Sequence, residues 1–275
     1  MTTIAVQRSD QPAPDADAGV RSRWWPRVWP PIASVGVAIT LWWAATSTLC
    51  APQSLLRQTS PPHVLAALAD LIGRGVLVSD TAVSLYRLLI GLLIAALVGV
   101  PAGLLIGLSR TAERAAGPVV GFLRMISPLS WTPITVAVFG IGSQPVIFLI
   151  AVAAVWPVLL GTVAGVHAID PGYLHVARSL HASRFEQLTA VVLPAVRVPI
   201  QNGLRLALGI AWVVLVPAEM LGVRSGLGYQ ILNARDQLAY DQVVAVIAVI
   251  GVLGYLLDLA ARRLLAPRRS AASRP

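Results

Sequence analysis

The sequence predicts an all-α, polytopic integral membrane protein with about six transmembrane helices and one polar, helical loop between two of them. Three observations carry this. Hydrophobic residues make up 56% of the chain and charged ones only 12%, with a mean hydropathy of +0.75; soluble domains carry about 25% charged residues. Several runs reach the roughly 20 apolar residues that a helix needs to cross a bilayer. The basic residues, all arginine, are distributed unevenly between alternate connections.

Six spans follow in order. The first is Ile32 to Cys50, and the second is Leu88 to Leu108, starting a turn earlier near Val83. Neither run Ile32–Cys50 nor run Leu88–Leu108 contains a charge. The third, Val119 to Gly142, is interrupted by Arg124, Pro128 and Pro133. The fourth is Gln144 to Val166; the fifth, Val198 to Gly222, contains Arg205 and Glu219; the sixth, Gln242 to Ala261, contains Asp258. With both termini in the cytoplasm, 14 of the 21 arginines fall in cytoplasmic segments and five lie outside or at the outer edge. The positive-inside rule selects that orientation.

The domain layout is a cytoplasmic tail and interfacial segment at 1–31, a membrane domain at 32–265 with its core at 83–265, and a basic cytoplasmic tail at 266–275. The first twenty residues, with Asp10, Asp15 and Asp17, read as a disordered tail. They are too polar for a signal peptide. The stretch "RSRWWPRVWPP" suits a headgroup boundary. The net charge of +9 follows from arginines flanking spans, which points to anionic lipid and away from nucleic acid. A single cysteine, Cys50, forms no internal disulfide, and four histidines without a ligand pattern predict no metal site.

Within "DPGYLHVARSLHASRFEQLTAVVLP", Asp170 to Pro194, the chain turns polar. Asp170 and Pro171 are a helix start, with the aspartate as N-cap and the proline where a missing N–H costs nothing. A short helix to about Leu180 carries Leu174, Ala177 and Leu180 along one side. "SRFE" at Ser183 to Glu186 fits a capping box opening a second helix. That helix carries Phe185, Leu188 and Val192 on one face and stops before Pro194. The corner between the two helices falls at His181-Ala182. A loop of this length with its own helices points to docking of a cytoplasmic partner.

At these residues the sequence resembles the permease subunits of bacterial ATP-binding-cassette importers. Their signature is Glu-Ala-Ala, three residues, Gly, nine residues, Ile, one residue and Leu-Pro. The same spacing here reads His175-Val176-Ala177, His181, Val191 and Leu193-Pro194, so both the Glu and the Gly are histidine. "PLSWTPITVAVFGIG", "DPGYLHVARSLHASR", "NGLRLALGIAWVVLVPAEM" and "GLGYQI" are similar to the nitrate, sulfonate and taurine branch. The resemblance implies a coupling-helix loop that inserts into an ATPase subunit. It further implies an external substrate-binding protein, a second permease subunit in a homodimer, and a location in the bacterial inner membrane. ATP and Mg would then sit on the partner, leaving this chain without a cofactor and not itself an enzyme. By carry-over, Leu174, His175, Ala177, Leu180, His181, Ala182 and Phe185 form the docking surface. The Gly position ends a helix where a left-handed backbone is needed, so His181 is expected to be strained there.

Charged residues inside spans face a cavity or a partner. Arg205, Trp212 and Glu219 recur every seven residues and share one helix face. They are candidate path residues, with Glu219 near the outer gate; snorkelling of Arg205, and pairing of Glu219 with an arginine, are the alternatives. Ser130, Trp131 and Thr132, between two prolines, are further candidates, and Arg124 would add positive potential. An ion-coupled secondary transporter has no use for a docking loop. An intramembrane enzyme using Glu219 or Asp258 lacks a nearby histidine, because all four lie in predicted loops.

Overall fold

The computed structural model describes residues 25–48 and 55–265. The acidic N-terminal tail through residue 24, Cys50 and the basic tail from residue 266 lie outside them. The described residues form helices and turns, with no strand among them. Helix α1 (Trp25–Thr48) starts inside the Trp-Pro stretch and contains the apolar segment Ala33–Ser47. A 3-10 turn at Leu55–Thr59 and helix α2 (Pro61–Gly73) lead into α3 (Val76–Leu108). Helix α3 begins about two turns before the predicted start, because its polar residues Asp80, Ser84 and Arg87 are all buried and satisfied internally.

Among the described residues, four helices are long and apolar enough to cross a membrane: α3, α6 (Ser143–His167), a helix running from Arg184 to Gly222, and α11 (Tyr240–Leu264). The third predicted span is not a straight helix. It divides into α4 (Arg110–Leu123), a 3-10 turn at Pro128–Trp131 and α5 (Thr132–Phe139), and the two halves bend by 81°. Pro128 and Pro133 have no N–H to continue an α-helical ladder, so the chain turns there.

The predicted stop before Pro194 is also corrected. After α7 (Pro171–Ser179), the short helix α8 (Arg184–Gln187) passes through one π-helical turn, Leu188–Val192, into α9 (Leu193–Gly222). The Leu193 N–H reaches the Leu188 carbonyl, five residues back. Widening the turn lets the helix proceed across a residue that cannot donate. Helix α10 (Leu227–Asp236) then connects α9 to α11.

The core is a sandwich of α3, α6 and α9. In lipid no hydrophobic force draws apolar helices together, so close association depends on small residues that let backbones approach. Helix α3 supplies Gly91, Ala95, Gly99, Gly103 and Gly107, each four residues apart, against Ile150, Val158, Thr162 and Val166 of α6. A Cβ on Gly103 would lie 2.6 Å from Thr162 Cβ and 2.7 Å from the Leu159 carbonyl oxygen. On the other side of α6, a Cβ on Gly203 would lie 2.8 Å from the Pro157 carbonyl oxygen. Ala207, Ala211, Leu215 and Ala218 of α9 complete the buried seam. A second cluster, built from Leu71, Leu77, Leu227 and Val246, joins α2, α3, α10 and α11.

Gly103→Leu is expected to destabilise the protein by about 2–3 kcal/mol through overpacking, read as a lower midpoint of thermal unfolding in detergent. Gly117→Ala on α4, where a Cβ meets nothing within 4 Å, should leave that midpoint unchanged or raise it.

Candidate functional site

Local hydrogen bonding builds the polar loop. Asp170 Oδ1 accepts the Gly172 N–H at 2.8 Å and starts α7. The helix ends in a Schellman motif: the Ala182 N–H reaches the Ala177 carbonyl at 3.0 Å, and the His181 N–H reaches that of Arg178 at 2.9 Å. His181 has φ 57°, the left-handed conformation expected for it. The next helix opens with the anticipated capping box: the Ser183 N–H donates to Glu186 Oε2 at 2.7 Å, and the Glu186 N–H donates to Ser183 Oγ at 3.3 Å. Gln187 Nε2 donates to the Ala182 carbonyl and braces the corner.

These caps fix which side chains the loop presents. Tyr173, Val176, Leu180 and Phe185 are large apolar residues, each at least 60% exposed. His175 and His181 are exposed as well. Leu174 and Ala177 instead turn inward: Ala177 is buried, and Leu174 packs beside Val166, Val192 and Val196. The apolar face of α7 is therefore rotated from the predicted Leu174, Ala177 and Leu180 to Tyr173, Val176 and Leu180. Sequence reading missed Tyr173 and Val176, although their spacing from Leu180 is helical. Ala182 is half-buried behind the corner.

At the opposite end of α9 lies a buried polar cluster. Arg87 Nη1 donates to Glu219 Oε1 at 2.7 Å and to the Ser225 carbonyl at 2.8 Å. Its Nη2 donates to Ser225 Oγ, and its Nε donates to Ser143 Oγ. Glu219 is fully buried and also accepts from Ser84 Oγ and the Gly228 N–H. Ser84 Oγ accepts the Leu227 N–H, and Asp80 Oδ1 accepts the Gly226 N–H at 2.8 Å. The cluster clamps the α9–α10 turn onto α3 and the start of α6. Gly226 has φ +103°, and a Cβ there would collide with the Glu219 carboxylate, so only glycine permits this approach.

The stripe of Arg205, Trp212 and Glu219 is one helix face, but that face packs against the chain itself. Arg205 Nε pairs with Asp258 at 3.2 Å, and Arg262 holds the other oxygen of Asp258. Trp212 lies against Gly254 of α11, whose Cβ would come 2.5 Å from Trp212 Nε1. Glu219 has no exposed surface and pairs with Arg87, as in the alternative given for it. Arg205 borders a cavity of about 660 Å³ together with Asn202, Leu206 and Asp258. Ser130 is exposed, Trp131 half-buried against the core, and Thr132 buried with its hydroxyl on the Leu129 carbonyl. Arg124 is exposed at the end of α4. Among the described residues no His, Cys, Asp and Glu group could hold a metal. His167 is the one histidine beside a carboxylate among them, 3.6 Å from Glu113.

Residues 99–270 match the family described as the binding-protein-dependent transport system inner membrane component. The chain belongs to this family. It is 37% identical over 254 residues to the taurine transport system permease protein TauC of Escherichia coli K12, covering 89% of this chain and 91% of that one. It is 36% identical to the putative aliphatic sulfonates transport permease protein SsuC of Bacillus subtilis, covering 77% and 78%. With the nitrate import permease protein NrtB of Synechocystis the identity is 32%, covering 85% and 86%. Among solved structures, the inward-facing MetNI methionine ABC transporter shares the fold, with a TM-score of 0.60, 19% identity, and coverage of 70% of this chain and 95% of that one. The protein is the permease subunit of an importer, not an enzyme, and its architecture is that of a transporter membrane domain.

The family match begins inside α3, so Asp80, Ser84 and Arg87 of the clamp precede it. In the permease's sequence Arg87 falls among the five arginines outside or at the outer edge, because hydropathy windows begin after it. Its signal lay in helical spacing, since Asp80, Ser84 and Arg87 share a face. Removing one partner strands a buried charge. Arg87→Ala should cost about 3–5 kcal/mol, and Arg87→Met combined with Glu219→Met should recover most of it in the same thermal-unfolding assay. His181→Gly should raise stability by about 1 kcal/mol by relieving the left-handed backbone.

Proposed function

We propose that this permease forms the route for a small anionic solute, in the manner of nitrate, sulfonate or taurine, and is driven by a separate ATPase docked on residues 170–194. The exposed apolar face of Tyr173, Val176, Leu180 and Phe185 carries this reading. Apolar side chains held outward by an N-cap, a Schellman motif and a capping box suit insertion into a partner's groove. His175 and His181 flank that face and would meet the ATPase where the family signature has Glu and Gly. The family's binding-protein dependence supports an external binding protein that delivers solute from the other side.

Substrate class draws on two supports. Relatives are named for transport of taurine, aliphatic sulfonates and bicarbonate and for import of nitrate. Arg205, at the cavity shared with Asn202, engages Asp258 through Nε alone, so its terminal nitrogens are free to meet an anion. Ser130 and Trp131 are further candidates for the route. A second copy of the chain would complete that route as a homodimer, with both termini cytoplasmic and arginine-rich ends on anionic lipid.

Copurification tests the docking surface. Val176→Asp and Leu180→Asp alter exposed residues and should cut retention of the ATPase by about tenfold or more without lowering the permease's own unfolding midpoint. Unchanged retention in both variants would reject the loop as the docking site. His175→Glu should weaken both retention and ATPase stimulation if the ATPase is matched to histidine at this position.

A further inference from the structure

On the reverse of the coupling loop lies a cavity of about 650 Å³, lined by Leu108, Leu174, Arg178, Arg184, Gln187, Leu188 and Val192. We propose that it is a binding site for the headgroup and upper acyl region of one anionic phospholipid. The proposal rests on the cytoplasmic placement of the loop given above.

Three observations converge on that ligand. The first is chemical division: four aliphatic side chains form one part of the lining, and two guanidiniums with one amide form the rest. A free anion has no use for the aliphatic part, whereas a phospholipid presents both chemistries in one molecule. The second is charge. Neither Arg178 nor Arg184 forms an ion pair with a carboxylate among the described residues, and the two line one cavity together. Two uncompensated cations at one cavity attract a phosphodiester, and such basic pockets at the cytoplasmic ends of membrane helices suit anionic headgroups. The third is depth. Leu108 is the last residue of α3, and Arg184, Gln187, Leu188 and Val192 lie in the first turns of the helix running from Arg184 to Gly222, so the cavity sits at the ends of two long helices.

The site does not compete with the docking face. Leu174 and Arg178, four residues apart, point to one side of α7, and Tyr173, Val176 and Leu180 point to another. The lipid would therefore wedge between the loop and the spans while the ATPase occupies the outer face. It would set the angle at which α7 is presented, making coupling sensitive to the composition of the inner leaflet.

The test uses the full-length permease without its ATPase, in nanodiscs of phosphatidylcholine carrying graded phosphatidylglycerol, followed by native mass spectrometry. Wild-type protein should retain one phosphatidylglycerol in preference to phosphatidylcholine. Arg178→Gln with Arg184→Gln should weaken retention on the order of thirtyfold. Leu188→Trp intrudes on the aliphatic part of the cavity with both arginines in place and should also weaken lipid retention. Arg262→Gln with Arg263→Gln removes equal charge at the end of α11 and should keep it. Equal retention of phosphatidylcholine by wild type overturns the proposal, as does equal loss in the α11 control. Displacement of the lipid by excess inorganic phosphate would identify a free-anion site and equally overturn it. If the double variant does not fold, Leu188→Trp decides alone: undiminished lipid retention overturns the site. A permease that holds the lipid but no ATPase would remove the functional reading and leave the lipid site intact.

Discussion

Close backbone approach along the glycine rows of α3, α6 and α9 is the constraint on which the rest of this permease depends. Leu and Val side chains gain nothing by leaving lipid for another helix, so the seam must be stabilised by dispersion over short distances. That requirement explains why α3 carries a small residue every fourth position while its opposite face presents Leu89, Leu93, Leu97 and Leu105 outward. It also explains why α6 is the most buried of the long helices: it is gripped on both sides, by α3 glycines and by Pro199 and Gly203 of α9. With these three helices fixed, α9 becomes a rod of defined direction.

That rod joins the two polar assemblies. From Arg184 to Gly222 the chain is one helix of 39 residues, about 58 Å at 1.5 Å per residue. The polar loop is at one end and the Arg87–Glu219 clamp at the other. A buried ion pair is weak evidence for net stability, since desolvation offsets most of the attraction. Its value here is geometric. Arg87 and Glu219 are also held by Ser84, Ser143, Ser225 and Gly228, so moving α9 against α3 would strip partners from a buried charge. Displacing α7 at one end therefore acts on a helix whose other end is held.

Local rules made the loop legible in the sequence. Asp170-Pro171, the Ser183–Glu186 capping box and the corner at His181 are each decided by neighbouring residues, so spacing alone identifies them. The second, fourth and sixth spans were legible because hydropathy reports length and lipid exposure directly. What spacing could not supply was the partner of each face. Arg205, Trp212 and Glu219 do share a side of α9, yet periodicity does not reveal whether that side meets a route, α11 or Arg87. Arg87 was hidden by the same limit, because a charge near a span's start reads as an edge residue until its carboxylate, 132 positions away, is known. Pro194 misled for a different reason: its missing donor predicts a stop, but a π-helical turn absorbs the defect without ending the helix.

The two histidines of the signature separate once backbone and side chain are considered apart. At His181 the family's glycine serves a backbone role, and that role persists: the residue still takes φ 57° and still closes the Schellman motif. Its side chain is incidental to the turn, and the fold bears a local strain that glycine would remove. At His175 the backbone is ordinary helix and the side chain projects into solvent. Nothing in the fold of this chain requires a particular residue there, so its identity is free to answer to the partner. The first substitution is thus a cost accepted within the permease, whereas the second exchanges the signature's carboxylate for an imidazole on an exposed position of the polar loop.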